Sequence, residues 1–151
     1  MNFVIRQAEA SDAGAISHLV LGVAHYFLAD PSSPEVGPFL AGLTPSSYAN
    51  RIGSSNFSHY VAEDSAGPCG IVALRDGSHL YHLFVTADAH GQGIARALWE
   101  HAKALSGRST FTVNSSLFAV PVYERLGFVT KAPAQTADGL VFVPMGYAHD
   151  S

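Results

Sequence analysis

Two glycines one residue apart, Gly91 and Gly93, stand in the stretch HGQGIAR (90–96), between an apolar run, HLYHLFV (79–85), and a helix-patterned run, GIARALWEHAKALS (93–106). A helix that starts just after a strand presents unpaired backbone N–H groups and the positive end of its dipole, a combination that suits an anion such as a phosphate. Glycine at that corner takes away the side chains that would keep the anion at a distance. Each charge-assisted contact of this type contributes on the order of 1–2 kcal/mol, so several together anchor a pyrophosphate without a lysine. Three readings compete: a nucleotide phosphate, the pyrophosphate of another cofactor, or a tight turn and nothing more. No Gly-Lys-Ser/Thr exists for a Walker A loop. A dinucleotide fingerprint would need a third small residue where Arg96 stands, and a parallel βαβ unit around the corner.

The other residue types able to do chemistry are sparse. Cys69, the single cysteine, has no partner for a disulfide and reads as a small core residue at a strand start. The histidines show no His-x-x-x-His spacing with a third ligand, so no metal is expected. In a regular strand 79–85, His79 and Tyr81 share one face and His82 takes the other, which separates His79 from His82 as a ligand pair. No Cys-His or Ser-His-Asp arrangement is readable.

The elements that must position these residues follow from hydrophobic spacing. FVIRQA (3–8) reads as a strand, and residues 11–28 as a helix capped by Ser11 or Asp12 with Ile16, Leu19, Val20, Val23 and Phe27 on one stripe. A proline-rich break (29–38) precedes a short helix over 46–54. Strands over 57–64, 69–76 and 79–85, separated by SAGP and GS, read as an antiparallel meander. A helix with Ile94, Leu98, Ala102 and Leu105 on its inner face ends at Gly107. A strand (108–114), a helix (116–128) and a last strand (140–148) follow. Helices interleaved with strands in this order make an α/β sandwich around a mixed sheet.

At 151 residues, 48% hydrophobic and 13% charged, the chain is expected to be one globular domain, 1–151. The net charge is −4 and the eight Lys and Arg are scattered, which argues against a nucleic-acid partner. No apolar run is long enough for a membrane span, and the start lacks a secretory pattern. The expectation is a cytoplasmic protein with no membrane partner.

Around the glycine corner, HLFVTADAHGQGIARALWEHA resembles the acetyl-CoA-binding segment of the GNAT N-acetyltransferase superfamily. Leu83 and Val85 match the strand end, Gly93 and Ala95 the two small positions, and Ile94 sits between them. His90 stands where the family usually has Arg or Gln, at a place where contacts run mostly through backbone amides. NSSLFAVPVYERLGF (114–128) resembles the family's later cofactor segment, through Ala119, Tyr123, Glu124, Gly127 and Phe128. Asn114 lies further from Ala119 than is commonest and Ser116 occupies the usual site, so either could contact the cofactor.

The resemblance implies an α+β type, three-layer sandwich, with a mixed, mostly antiparallel sheet of six or seven strands flanked by about four helices. It implies acetyl-CoA as co-substrate, against Phe84, Val85, His90, Gly91, Gln92, Gly93, Ile94, Ala95, Arg96, Asn114, Ser116 and Tyr123. It implies direct acetyl transfer to an amine of a small molecule, peptide or protein, with Tyr123 as acid toward the departing thiolate and His79 as base. Family members often dimerise. Segment 25–40 would then shape the acceptor pocket, where Tyr26, Phe27, Asp30 and Glu35 suit a cation with an apolar portion. A non-catalytic CoA-binding sensor or interaction module on the same fold is the alternative.

Overall fold

The computed structural model describes residues 3–24, 37–86, 89, 93–137 and 140–148. Among these residues the strands are β1 (Val4–Gln7), β2 (Phe57–Asp64), β3 (Gly67–Arg75), β4 (His79–Val85), β5 (Thr110–Ser116), β6 (Val129–Thr130), β7 (Gln135–Ala137) and β8 (Leu140–Ala148). The helices are α1 (Ala13–Val23), α2 (Gly37–Ala41), α3 (Pro45–Ile52), α4 (Ile94–Ser106) and α5 (Val120–Leu126). All eight strands join one sheet in the order β1-β2-β3-β4-β5-β8-β6, with β7 beside β8. The fold class is the expected one. The short β6 and β7 bring the sheet to eight strands, and α2 is an additional short helix that starts at the end of the proline-rich break.

Every pairing is antiparallel except β4 with β5, which is parallel and limited to His79↔Thr112 and Leu80↔Val113. Beyond those two pairs the strands part and leave their inner edges unpaired with one another. Helices α1 and α3 cover one face of the first half-sheet, where Ile16, Leu19, Val20, Leu43 and Tyr48 pack on Val61 and Ile71. Helix α4 covers the other face, where Leu98, Trp99 and Ala102 pack with Val72, Leu74, Leu80, Phe111 and Val113. The approach is closest at Gly70, where a Cβ would stand 2.8 Å from Leu98 Cδ1. Leu105 departs from the expected inner face, being 60% exposed near the helix end.

The start of α1 also differs from expectation. A 3₁₀ turn, Ala10–Asp12, precedes it, and Asp12 donates no side-chain cap to α1. Its carboxylate instead accepts from the Glu9 N–H at 2.7 Å and from Arg6, which also binds Glu63. That anchors β1 to β2 and to the helix start, and the Arg6 guanidinium holds the Asp12 carboxyl below its ordinary range. Phe27 and His25 lie outside the described residues, and His18 is exposed. Strand β5 begins and ends two residues later than the spacing suggested, so Ser116 is its last residue and α5 starts only at Val120.

Candidate functional site

The parting of β4 from β5 opens a cavity of about 930 Å³, lined from both strands and from the starts of α4 and α5. At one end stands the N-terminus of α4. Gly93 is its N-cap, in the left-handed region at φ 79°, with nothing within 4 Å of where a Cβ would point. A side chain there would be strained whatever space it found. The carbonyl of Gly93 accepts from Ala97 N–H at 3.0 Å, leaving the earlier N–H groups of the turn without helical partners. Gly93, Ala95 and Arg96 line the cavity there, and Arg96 Nη2 donates to the Arg125 carbonyl at 2.6 Å. Ile94 also borders it, but its side chain is buried in the core beneath α4. His90, Gly91 and Gln92 lie outside the described residues.

Tyr123 lines the same cavity from α5, packed edge-on against Phe128 at 5.6 Å. Burial pushes its phenol well above the ordinary range, so it stays protonated, and its hydroxyl has no hydrogen-bond partner among the described residues. An O–H in that condition can donate to an anion formed beside it. From β5, Asn114 and Ser116 both line the cavity. The Ser116 hydroxyl accepts from the Ala119 N–H at 3.2 Å, bracing the turn before α5 with its own O–H still able to donate. The Asn114 amide has no such partner among the described residues and shares the face of Thr112.

On β4 the structure overturns the expected alternation. The ladder pairs Ala73 with His82 but Leu74 with Leu80, so Tyr81 is the extra residue of a β-bulge. Leu80 therefore faces α4 with Leu83 and Val85, while Phe84 packs on the α1–α3 side. His82 joins Phe84 there, its Nδ1 3.0 Å from the Tyr48 hydroxyl of α3. His79 reaches Thr112 Oγ1 at 2.8 Å, on the side away from the inward-facing Phe111 and Val113. The two histidines thus share a face instead of opposing each other. Tyr81 stacks on His82 at 4.4 Å and edge-on against Phe57 at 5.1 Å, which puts it beside them.

The electrostatics of this face are shaped by burial and by arginine. Burial first, and Arg75 second, hold the His79 imidazolium below its ordinary pKa. His82 is pushed well down by burial, with Arg51 and His59 adding to it. His59 is pushed down to about 4 by burial and by Arg51. Arg51 lies over the Tyr48 ring at 4.6 Å and the Tyr81 ring at 5.4 Å and donates to the Gly42 carbonyl. His79, Tyr81 and His82 all line the cavity, so neutral imidazoles meet it on the face opposite α4. Among the described residues no group of three or more His, Cys, Asp or Glu could hold a metal ion, and no helix is long and apolar enough to cross a membrane.

Residues 27–148 match the family model of the acetyltransferase (GNAT) domain. The chain belongs to the GNAT acetyltransferase family. Over 76 residues it is 36% identical to a peptidyl-lysine N-acetyltransferase, YjaB, of Salmonella typhimurium, a stretch that is 50% of this chain and 52% of that protein. The chain thus matches about half the length of that curated relative. Its fold superposes on the PaiA N-acetyltransferase of Thermoplasma acidophilum in complex with coenzyme A, with a TM-score of 0.81, 16% identity and coverage of 99% and 100% of the two chains. It likewise superposes on a GCN5-related N-acetyltransferase of Rhodopseudomonas palustris, with a TM-score of 0.80, 21% identity and coverage of 98% and 96%. At those identities the likeness concerns the GNAT fold itself.

Three features of this GNAT site were not visible in the sequence: the Tyr48–His82 contact, the bulge at Tyr81 and the approach of Arg51 and Arg75 to its ring. Tyr48 sits 34 residues before His82, and no spacing rule connects them. A bulge has a sequence signal only where glycine marks it, and HLYHLFV has none.

Proposed function

We propose that the protein moves an acetyl group from acetyl-CoA directly to an amine. The observation that carries this reading is the parted pair β4–β5, which opens between a glycine-capped helix start and a face of neutral histidines. The residues fit such a co-substrate. Open space beside Gly93, amides without helical partners at the start of α4 and the guanidinium of Arg96 suit a pyrophosphate, and the gap between the parted edges of β4 and β5 suits an extended amide-bearing arm. Phe84, Val85, Gly93, Ile94, Ala95, Arg96 and Asn114 would hold it. Ser116 braces the turn into α5 as an acceptor and keeps its O–H for the co-substrate. Acetyl-CoA supplies the activated thioester.

The chain's own groups then handle protons. Tyr123, protonated and unpartnered in the cavity wall, donates to the departing thiolate. His79, neutral at pH 7 because burial and Arg75 disfavour its charged form, accepts a proton from the amine, directly or through water. With Nδ1–H donating to the Thr112 hydroxyl, Nε2 is left as the acceptor. Alignment of the two reactants in the wedge supplies a comparable or larger share of the rate.

The deciding experiment has two stages. Thermal unfolding is followed with acetyl-CoA, CoA, ADP and NAD in parallel, where a ligand at ~100 times its dissociation constant stabilises by about 2.7 kcal/mol. Thiol release from acetyl-CoA is then measured with a panel of amines. A shift with both CoA species and amine-dependent release are expected. Binding without release would favour the non-catalytic sensor, and a shift with ADP or NAD alone would overturn the cofactor assignment.

A further inference from the structure

The charge lining the cavity is one-sided. Among the described lining residues there are three arginines, Arg75, Arg96 and Arg125, and two histidines, His79 and His82, and no carboxylate. The chain as a whole carries −4, with 12 Asp and Glu, so this is not a reflection of composition. Arg96 stands in the first turn of α4, at the cofactor end, and donates there to the carbonyl of Arg125 in the last turn of α5. Arg75 stands at the opposite end, paired across the β3–β4 ladder with His79.

Arg75 is exposed, and its guanidinium lies 5.6 Å from the centroid of the Tyr81 ring. The described ion pairs belong to Arg6 and Lys103, and none reaches Arg75 or Arg51. Two guanidiniums thus approach one aromatic ring near the joined end of β4 and β5, and only Arg75 of the two lines the cavity, with no ion-pair partner among the described residues. Each acts on its own neighbours, Arg75 adding to the burial that disfavours the charged form of His79, and Arg51 doing the same at His59 and His82. A planar guanidinium matches a carboxylate through two parallel N–H donors, and the Tyr81 ring 5.6 Å away gives Arg75 a cation–π partner. A polycationic amine entering here would meet like charge instead.

We propose that the acceptor carries a carboxylate close to the amine that is acetylated, and that Arg75 binds it. The proposal rests on the acetyltransferase reading above and narrows its substrate class. It departs from the cation expected from Asp30 and Glu35, which lie outside the described residues. The carboxylate can belong to a free amino acid or to an acidic residue beside the reacting amine of a peptide.

The test uses two matched pairs with acetyl-CoA: phenylalanine against phenylalaninamide, and two lysine peptides identical except for Asp or Asn next to the lysine. The carboxylate member of one pair should exceed its neutral twin by about ten- to a hundredfold in kcat/KM. Arg75→Gln should bring that ratio close to one. The pair that discriminates identifies the source. A neutral twin acetylated as well in both pairs, or a preference that survives Arg75→Gln, would overturn the proposal while leaving acetyl transfer standing. If no amine releases CoA, acetyl transfer itself fails. Calorimetric titration of the four acetylated compounds in the presence of CoA then decides the carboxylate site. Binding of an acid form that is lost in Arg75→Gln upholds it, and equal or absent binding of acid and neutral forms rejects it.

Discussion

The two faces of the first half-sheet are equally well buried and chemically opposite. Beneath α4, Trp99 meets Phe111 at 4.9 Å, Phe128 at 5.1 Å and Tyr147 at 5.5 Å, with Leu80, Leu98 and Val113 around them. Beneath α3, Tyr48, His59 and His82 are packed as tightly, yet both His59 ring nitrogens and the Arg51 Nε are buried without partners, against Trp99 Nε1 alone on the aromatic face among the described residues. Burying groups of that kind opposes folding unless they are hydrogen-bonded. The difference teaches that the aromatic face carries stability, which lets the histidine face hold neutral imidazoles that a purely structural core would avoid.

The comparison breaks first at Trp99. Trp99→Ala should cost roughly 3–5 kcal/mol, since loss of the indole leaves a large void among the three rings that face it. In a chain of this size that lowers the melting temperature on the order of 10 °C. An unchanged melting curve would mean that the aromatic face is not the stabilising one. Acid should act on the other face. The unfolded chain binds a proton at His59 near ~6.5 and the folded one only at about 4, so stability is full above ~6.5 and is lost as pH falls toward 4. His59 alone accounts for about 3 kcal/mol of that loss, with His82 adding in the same direction. Denaturant midpoints that stay level from pH 7 to 4.5 would contradict it.

Tyr123→Phe keeps the ring that packs on Phe128 and deletes the hydroxyl proposed as proton donor, so kcat should fall about a hundredfold with CoA affinity unchanged. Unaltered turnover across several amines would leave Tyr123 as packing alone. The smallest effect is expected at His59→Phe. Removing an unsatisfied ring should leave stability at pH 7 within about 1 kcal/mol of the wild type and flatten its acid dependence. Unfolding midpoints measured at pH 7 and pH 5 for both proteins separate these outcomes.

The α4 side was the more legible one. Ile94, Leu98 and Ala102 announce their burial by helical spacing, and Gly93 and Gly107 mark the two ends of α4, both in the left-handed region. The meander and its turns were equally plain. The histidine side was hidden because its geometry depends on one extra residue. Tyr81, inserted as a bulge, reverses the phase of β4, so His79 and His82 meet on the face that simple alternation keeps apart. Strand β5 runs on to Ser116, whose hydroxyl accepts from the Ala119 N–H of the following turn, a contact the sequence does not announce. Leu105 fits the helical stripe and yet lies beyond the sheet it would cover. In each case what decided the outcome was where a neighbouring element ended, which local pattern does not encode.

The parting of β4 from β5 also sets how the chain is threaded. Everything through α4 belongs to one half of the molecule, everything from β5 onward to the other, and only residues 107–109, exposed and containing Arg108, join them. Cut at that arginine, the protein would become two pieces held by two rungs of ladder, the rings around Trp99, the Arg96–Arg125 bond and whatever fills the gap. A ligand in the wedge then acts as mortar between them, so that reassembly of the separated pieces would report its presence without any reaction taking place.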